Sequence, residues 1–92
     1  MKSATFMKLL DDKAYASAKK DSATINKDVR MNIQCSSGDG AVFGIGDIRE
    51  IKLRDELFQL QHGVSKTSFI SADAIIAVTF EAENTKGSRT GF

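Results

Sequence analysis

Proline and tryptophan are absent from this chain of 92 residues, and cysteine and histidine occur once each. A single cysteine, Cys35, excludes a disulfide within the chain. It continues the apolar row of Val29, Met31 and Ile33, which is the setting of a buried, inert thiol. One histidine, His62, with only a distant cysteine offers no ligand cluster for a metal, and its place beside Gly63 makes it a turn-surface residue. That histidine is also the one conventional base, and no serine stands in a G-x-S-x-G context. Gly44-Ile45-Gly46 has no third glycine to complete a dinucleotide fingerprint, and the adjacent acids Asp11-Asp12 and Asp55-Glu56 project in different directions as solvated groups. No catalytic residue, metal or cofactor is therefore expected, and the chain reads as non-enzymatic. A run of about 18 apolar residues, the length of a membrane-spanning helix, is missing. The N-terminus lacks the apolar core and cleavage site of a signal peptide, so a cytoplasmic location without membrane contact is the expectation.

Apolar residues at 41% and charged residues at 27% are ordinary globular values. A chain this short holds one domain, burying roughly 60–65% of its unfolded surface. Net charge is +1, but it is unevenly spread. Residues 1–28 carry six lysines against four aspartates, residues 29–83 five basic against eight acidic groups, and the tail adds Lys86 and Arg89. Phosphate-backbone binding draws on clustered lysine and arginine, so the acidic middle is a poor generic nucleic-acid surface, although local basic patches are compatible with it.

With no proline to break them, short alternating patterns follow one another from Val29 to Phe80. In Val29-Arg30-Met31-Asn32-Ile33-Gln34-Cys35 apolar and polar positions alternate, the period of a strand with one face buried. Ser36-Ser37-Gly38-Asp39-Gly40 signals a hairpin turn. Glycines at alternate positions, Gly40 to Gly46, predict one long, strongly bent second strand reaching Leu53. Arg54-Asp55-Glu56 is a charged hairpin tip between Ile51-Lys52-Leu53 and Leu57 to Gln61, and His62 to Lys66 is a third turn. Thr67 to Ile70 forms the next strand. Ser71-Ala72-Asp73 interrupts the pattern, with Asp73 placed to cap the turn by accepting backbone N–H groups. In the last strand Ile76, Val78 and Phe80 share a face. Upstream, Phe6, Met7, Leu10, Ala14 and Ala18 recur at helical spacing, predicting a helix over about 3–20 with Ser3 as N-cap, a solvated lysine face and a connector at Asp21-Ser22-Ala23-Thr24. The fold class is mainly β with one N-terminal α-helix. Five strands form a strongly bent antiparallel small barrel over about 28–83, in a single domain of residues 1–83 followed by a flexible tail at 84–92.

An N-terminal helix before five strands, the alternating Val29 to Cys35, the Gly38-Asp39-Gly40 turn, Phe43-Gly44, and Ile70-Ser71-Ala72-Asp73-Ala74-Ile75-Ile76-Ala77-Val78 together resemble the Sm-like (Lsm/Hfq-type) family. The resemblance covers about 50 residues. It implies an RNA-binding small barrel that assembles into rings by pairing its fourth strand with the fifth strand of the next copy. The family's uridine-binding residues have no clear counterpart in Asp47 to Ile51. Where Hfq-type members carry a tyrosine-lysine-histidine run, this chain has Ala72-Asp73-Ala74, which would set a carboxylate against phosphates. Ring assembly is thus implied more directly than uridine binding.

The resulting expectation is a non-catalytic Sm-like or SH3-like module, a homo-oligomer associating through strand edges, with RNA among its partners. The edge residues are Phe69, Ile70, Ile76, Val78 and Phe80. The candidate ligand- or RNA-binding residues are Arg49, Lys52, His62 and Asp73. The alternative is an adaptor without a nucleic-acid role, whose acidic surface attracts a protein or a cationic small molecule.

Overall fold

A computed structural model describes residues 1–82; the predicted tail at 84–92 lies outside the described residues. The chain is mainly β, with helix α1 (Ser3–Leu9) and eight strands: β1 (Ala16–Ala18), β2 (Ser22–Ile25), β3 (Val29–Ser36), β4 (Val42–Ile45), β5 (Ile48–Arg54), β6 (Leu57–His62), β7 (Lys66–Ser71) and β8 (Ile75–Ala82). A single 3-10 turn, Ala72–Ala74, joins the last two. The strands make two antiparallel sheets, of five in the order β1-β2-β5-β6-β7 and of three in the order β4-β3-β8.

The alternating segment behaves as its period demands. Val29, Met31, Ile33 and Cys35 of β3 are all buried, while the residues between them face outward. The following hairpin closes through Gly38 and Gly40, both at φ +94°, a left-handed conformation that costs glycine little. The predicted long second strand is corrected: it breaks at Gly46-Asp47 into β4 and β5, which belong to different sheets. Gly46 is needed there because a Cβ would stand 2.8 Å from Asn32 Oδ1, the atom that accepts the Asp47 N–H at 3.1 Å. Bending therefore takes the form of a braced corner.

The predicted helix over 3–20 is also corrected. It ends at Leu9, and the expected connector is strand β2, paired antiparallel with β1 and β5. Asp12 explains the stop, because its Oδ1 accepts the Ala14 N–H at 3.0 Å while its carbonyl takes the N–H groups of Tyr15 and Ala16. Short polar side chains that bond the nearby backbone compete in this way with helix continuation. The N-cap is Lys2, without a side-chain cap, and Ser3 is the first helical residue. Ala16, Ala23 and Ile25 are buried, so residues resembling the weak end of a helical stripe are the inward row of a short hairpin.

One core lies between the sheets. Phe6 and Leu10, four residues apart on one side of the N-terminal segment, are fully buried, and the Phe6 ring meets Phe58 of β6 at 4.5 Å. Tyr15 stacks on Phe80 of β8 at 4.5 Å and 7°. The Met1 nitrogen donates to Ala72 O at 3.1 Å and Ile75 O at 2.9 Å, fastening the start of the chain to the 3-10 turn. Cys35 belongs to this core, and no buried side-chain nitrogen or oxygen lacks a partner among the described residues.

β8 departs from the expected face. Its register against β3 shifts between Gln34 and Cys35, leaving Ile76 as the extra, bulged residue. A bulge inserts one residue without repeating the two-residue alternation. Ile75 therefore points inward opposite Cys35, Val78 opposite Ile33 and Phe80 opposite Met31, while Ile76 is 53% exposed. Ile75 thus takes the place in the row that the pattern assigns to Ile76.

Candidate functional site

The four candidate ligand residues are distributed over three surface recesses, and only Arg49 and His62 share one. Arg49 sits at the register shift of β5, between Ile48 and Glu50, where the bulge re-aims its side chain toward the β2–β3 connection. Its Nη1 donates to Val29 O at 2.8 Å, and its Nη2 to Asn26 O at 2.7 Å and Ile25 O at 3.1 Å. The planar guanidinium suits such forked donation. Arg49 consequently joins the end of β2 and the start of β3 to β5.

His62 lies beside it in a recess of about 290 Å3 that Thr24, Glu50 and Gln61 also line. Its Nε2 is 2.7 Å from Ser68 Oγ across the β6–β7 pair. That spacing suits a nucleophile and its base, which in a working site also needs a third group orienting the ring. No hydrogen bond to Nδ1 is present among the described residues, and the His62–Ser68 contact ties two neighbouring strands together.

Asp73 lines a second recess with Lys2, Ser3, Glu56 and Ser71. The expected capping role belongs to its neighbour: Ser71 Oγ accepts the Asp73 N–H at 3.3 Å, and the Asp73 carboxylate accepts no hydrogen bond among the described residues. Sequence position did locate the turn, but a serine at the N-cap performs the function assigned to the aspartate.

Lys52 opens onto the third recess, of about 460 Å3, with Lys19, Lys20, Asp21, Ser22, Leu53 and Arg54. The β1–β2 turn is held over β5 by backbone bonds from Lys19 N to Ser22 O at 2.7 Å and from Leu53 N to Asp21 O at 2.8 Å. Four cations consequently face one carboxylate at this opening. Ser22 pairs with Lys52, Lys52 with Gln59 and Gln59 with Phe69, so these four residues form one row on the outer face of the five-stranded sheet. Arg54 Nη1 donates to Gln59 Oε1 at 3.1 Å, leaning toward the same row. Lys19, Lys20, Arg54 and Gln59 were not among the sequence candidates. The adjacent lysines were visible in the sequence, but only the β2–β5 pairing sets them beside Lys52.

The five edge candidates also separate. Ile70, 8% exposed, belongs to the core, and Val78 and Phe80 pack against it. Phe69 at 59% exposure and Ile76 at 53% are the two that present their side chains to solvent. Among the described residues no group of three or more His, Cys, Asp or Glu is arranged to hold a metal ion, and no helix is long and apolar enough to cross a membrane. In comparisons with known proteins, no family model, curated protein or solved structure matches the chain.

Proposed function

We propose that the protein is a non-catalytic binding and assembly module, a small Sm-like or SH3-like barrel that self-associates by pairing the edge of β7 in one copy with the edge of β8 in the next. The observation that carries this reading is the character of β8. Among the described residues it is the outer strand of its sheet, eight residues long, and its one charged residue, Glu81, lies at the far end, so that the six residues Ile75 to Phe80 contain neither charge nor proline. A six-residue uncharged stretch of edge offers unpaired backbone groups to another strand, and proteins that avoid such pairing blunt these edges. β7 is the outer strand of the other sheet and has one charged residue, Lys66. The barrel description rests on β3 pairing with β8, the first strand of the Val29–Phe80 run with its last, and on the chain passing between the sheets at Gly46-Asp47 and at the 3-10 turn. Both sheets also contribute to one core.

Joining two different edges is a head-to-tail contact, which closes as a ring when the rotation permits. Light scattering coupled to size-exclusion chromatography at tens of micromolar tests this. The expected result is a discrete oligomer that Ile76→Lys, a charge placed on the edge, converts toward monomer while its circular dichroism stays native. A strict monomer at these concentrations, or an oligomer indifferent to the lysine, refutes the reading.

A further inference from the structure

We propose that the outer face of the five-stranded sheet docks a short acidic peptide segment of a partner protein, with its carboxylates at Lys19, Lys20, Lys52 and Arg54 and one large apolar side chain seated on Leu57 and Phe69. This goes beyond self-association and does not depend on it. An edge contact lies in the plane of the sheet and uses the backbone, whereas this face presents side chains perpendicular to that plane.

Charge complementarity is the first support. The chain has 13 basic and 12 acidic residues, yet four basic groups and a single acid, Asp21, line the recess between the β1–β2 turn and β5. Arg54 is hydrogen-bonded to the neutral Gln59, which leaves its charge uncompensated by that contact. All four cations are exposed, and a positive patch of this kind steers and orients a partner of opposite sign.

The second support is an apolar pair on the same face. Arg54 pairs with Leu57 and Leu57 with Ser71, a row that runs beside Ser22–Lys52–Gln59–Phe69. Leu57 and Phe69 are therefore diagonal neighbours on adjacent strands, a separation that an aromatic side chain spans. At 43% and 59% exposure they offer one apolar patch next to the cations. Lys52 and Phe69 are two strands apart, about 10 Å at the usual spacing, which an extended chain covers in about three residues. The complementary segment consequently carries its acids about three residues from its apolar anchor.

What surrounds the patch limits the partner to something short. A polyanionic strand needs a basic track along its backbone and a ring for each of several bases. Here the next row along the strands carries Glu50 opposite Gln61, and Asp55-Glu56 forms the turn just past Arg54 and Leu57, so acids bound the cations on both sides. Of the two apolar groups, leucine has no π-face on which a base could stack. A small free anion would engage the cations without using the apolar pair. A peptide of a few residues uses both and stops short of the flanking acids.

Fluorescence anisotropy tests the assignment with labelled nine-residue peptides that carry three consecutive glutamates and, three residues further on, a phenylalanine, one peptide for each chain direction. At least one is expected to bind at 25 mM salt with a Kd of about 10–100 μM, in the weak range of small interfaces. Lys19→Gln/Lys20→Gln should weaken binding about fivefold at 25 mM salt and by less at 300 mM, where exposed charges are screened. Phe69→Ala should weaken it about tenfold at either salt concentration. A peptide with alanine for its phenylalanine should lose about the same factor against the unmodified protein and little more against Phe69→Ala, because the two changes remove one contact. Lys19 and Lys20 occupy an exposed turn, so their variant remains informative even where a sheet variant fails to fold. The Ile76→Lys variant is expected to retain the affinity, which separates this test from that of self-association. No binding of either peptide at 25 mM salt overturns the proposal, as does binding indifferent to Phe69→Ala or to the lysine pair. Displacement of the peptide by 15-nucleotide oligouridine at a lower concentration than by unlabelled peptide also overturns it, and assigns the face to nucleic acid instead.

Discussion

Replacing Arg49 by alanine removes three hydrogen bonds at once, and the structure determines what that should cost. The guanidinium is half-buried against the β2–β3 connection and donates to the carbonyls of Ile25, Asn26 and Val29. A net contribution of about 1 kcal/mol per bond gives a loss of about 3 kcal/mol, a value that allows water to replace the donor at carbonyls near the surface. Domains of this length have stabilities of about 5–14 kcal/mol, so the loss is a large fraction of the total. At about 4–8 °C per kcal/mol, the midpoint should fall by about 12–24 °C. Arg49→Lys keeps the charge but replaces a planar fork with a single ammonium, and should recover less than half of the loss. Thermal melts followed by circular dichroism provide the measurement. A shift below about 3 °C for Arg49→Ala would refute the latch and restore Arg49 as a free group available to a ligand.

Three further outcomes follow from local geometry. Asp55 has φ +59° in the two-residue turn between Arg54 and Leu57, so Asp55→Gly should relieve left-handed strain and raise stability by about 1 kcal/mol; an unchanged or lower melting point contradicts that account. The Asp39 carboxylate accepts from Ser37 Oγ and Ala41 N, and these bonds hold its pKa below the usual carboxylate range. A depressed folded value means that stability present above the unfolded pKa is lost as pH falls through the folded one. The carboxyl carbon of Asp39 should titrate low by NMR and move upward in Ser37→Ala; a midpoint indifferent to the substitution removes the cause. Burial pushes the Cys35 thiol up, so it should resist an aromatic disulfide reagent at pH 8 and react promptly in denaturant. The same upward shift predicts stability that is complete below the unfolded thiol pKa and declines as pH rises above it. Rapid native-state labelling would place the sulfur at the surface.

Legibility in the sequence followed the range of the interactions. The β3 alternation, the glycine turn after it, the charged β5–β6 tip and the His62–Lys66 turn were readable because each depends on a period of two or on the backbone freedom of a few adjacent residues. The helix was readable only to Leu9: beyond it, alanines at Ala14, Ala16 and Ala18 fit either period, and pairing of β1 with β2, which is itself paired with β5, favours the strand at Ala16 and Ala18. Asp73 and Ser71 show the same limit, since both are good turn residues and only geometry shows which oxygen receives the N–H. Ile75 and Ile76 are also interchangeable on paper, and the β3–β8 register determines which one enters the core.

By itself, the sequence determined a mainly β chain with a helical start, an inward row ending in Cys35, and turns at the glycine and charged breaks, because local sterics and side-chain periodicity suffice for these. Tertiary structure alone decided that the long strand breaks at Gly46-Asp47, that Arg49 is committed to three carbonyls, and that Lys19 and Lys20 stand beside Lys52 and Arg54. Each of these depends on residues more than ten positions apart, and no local rule specifies such pairings before strands find one another.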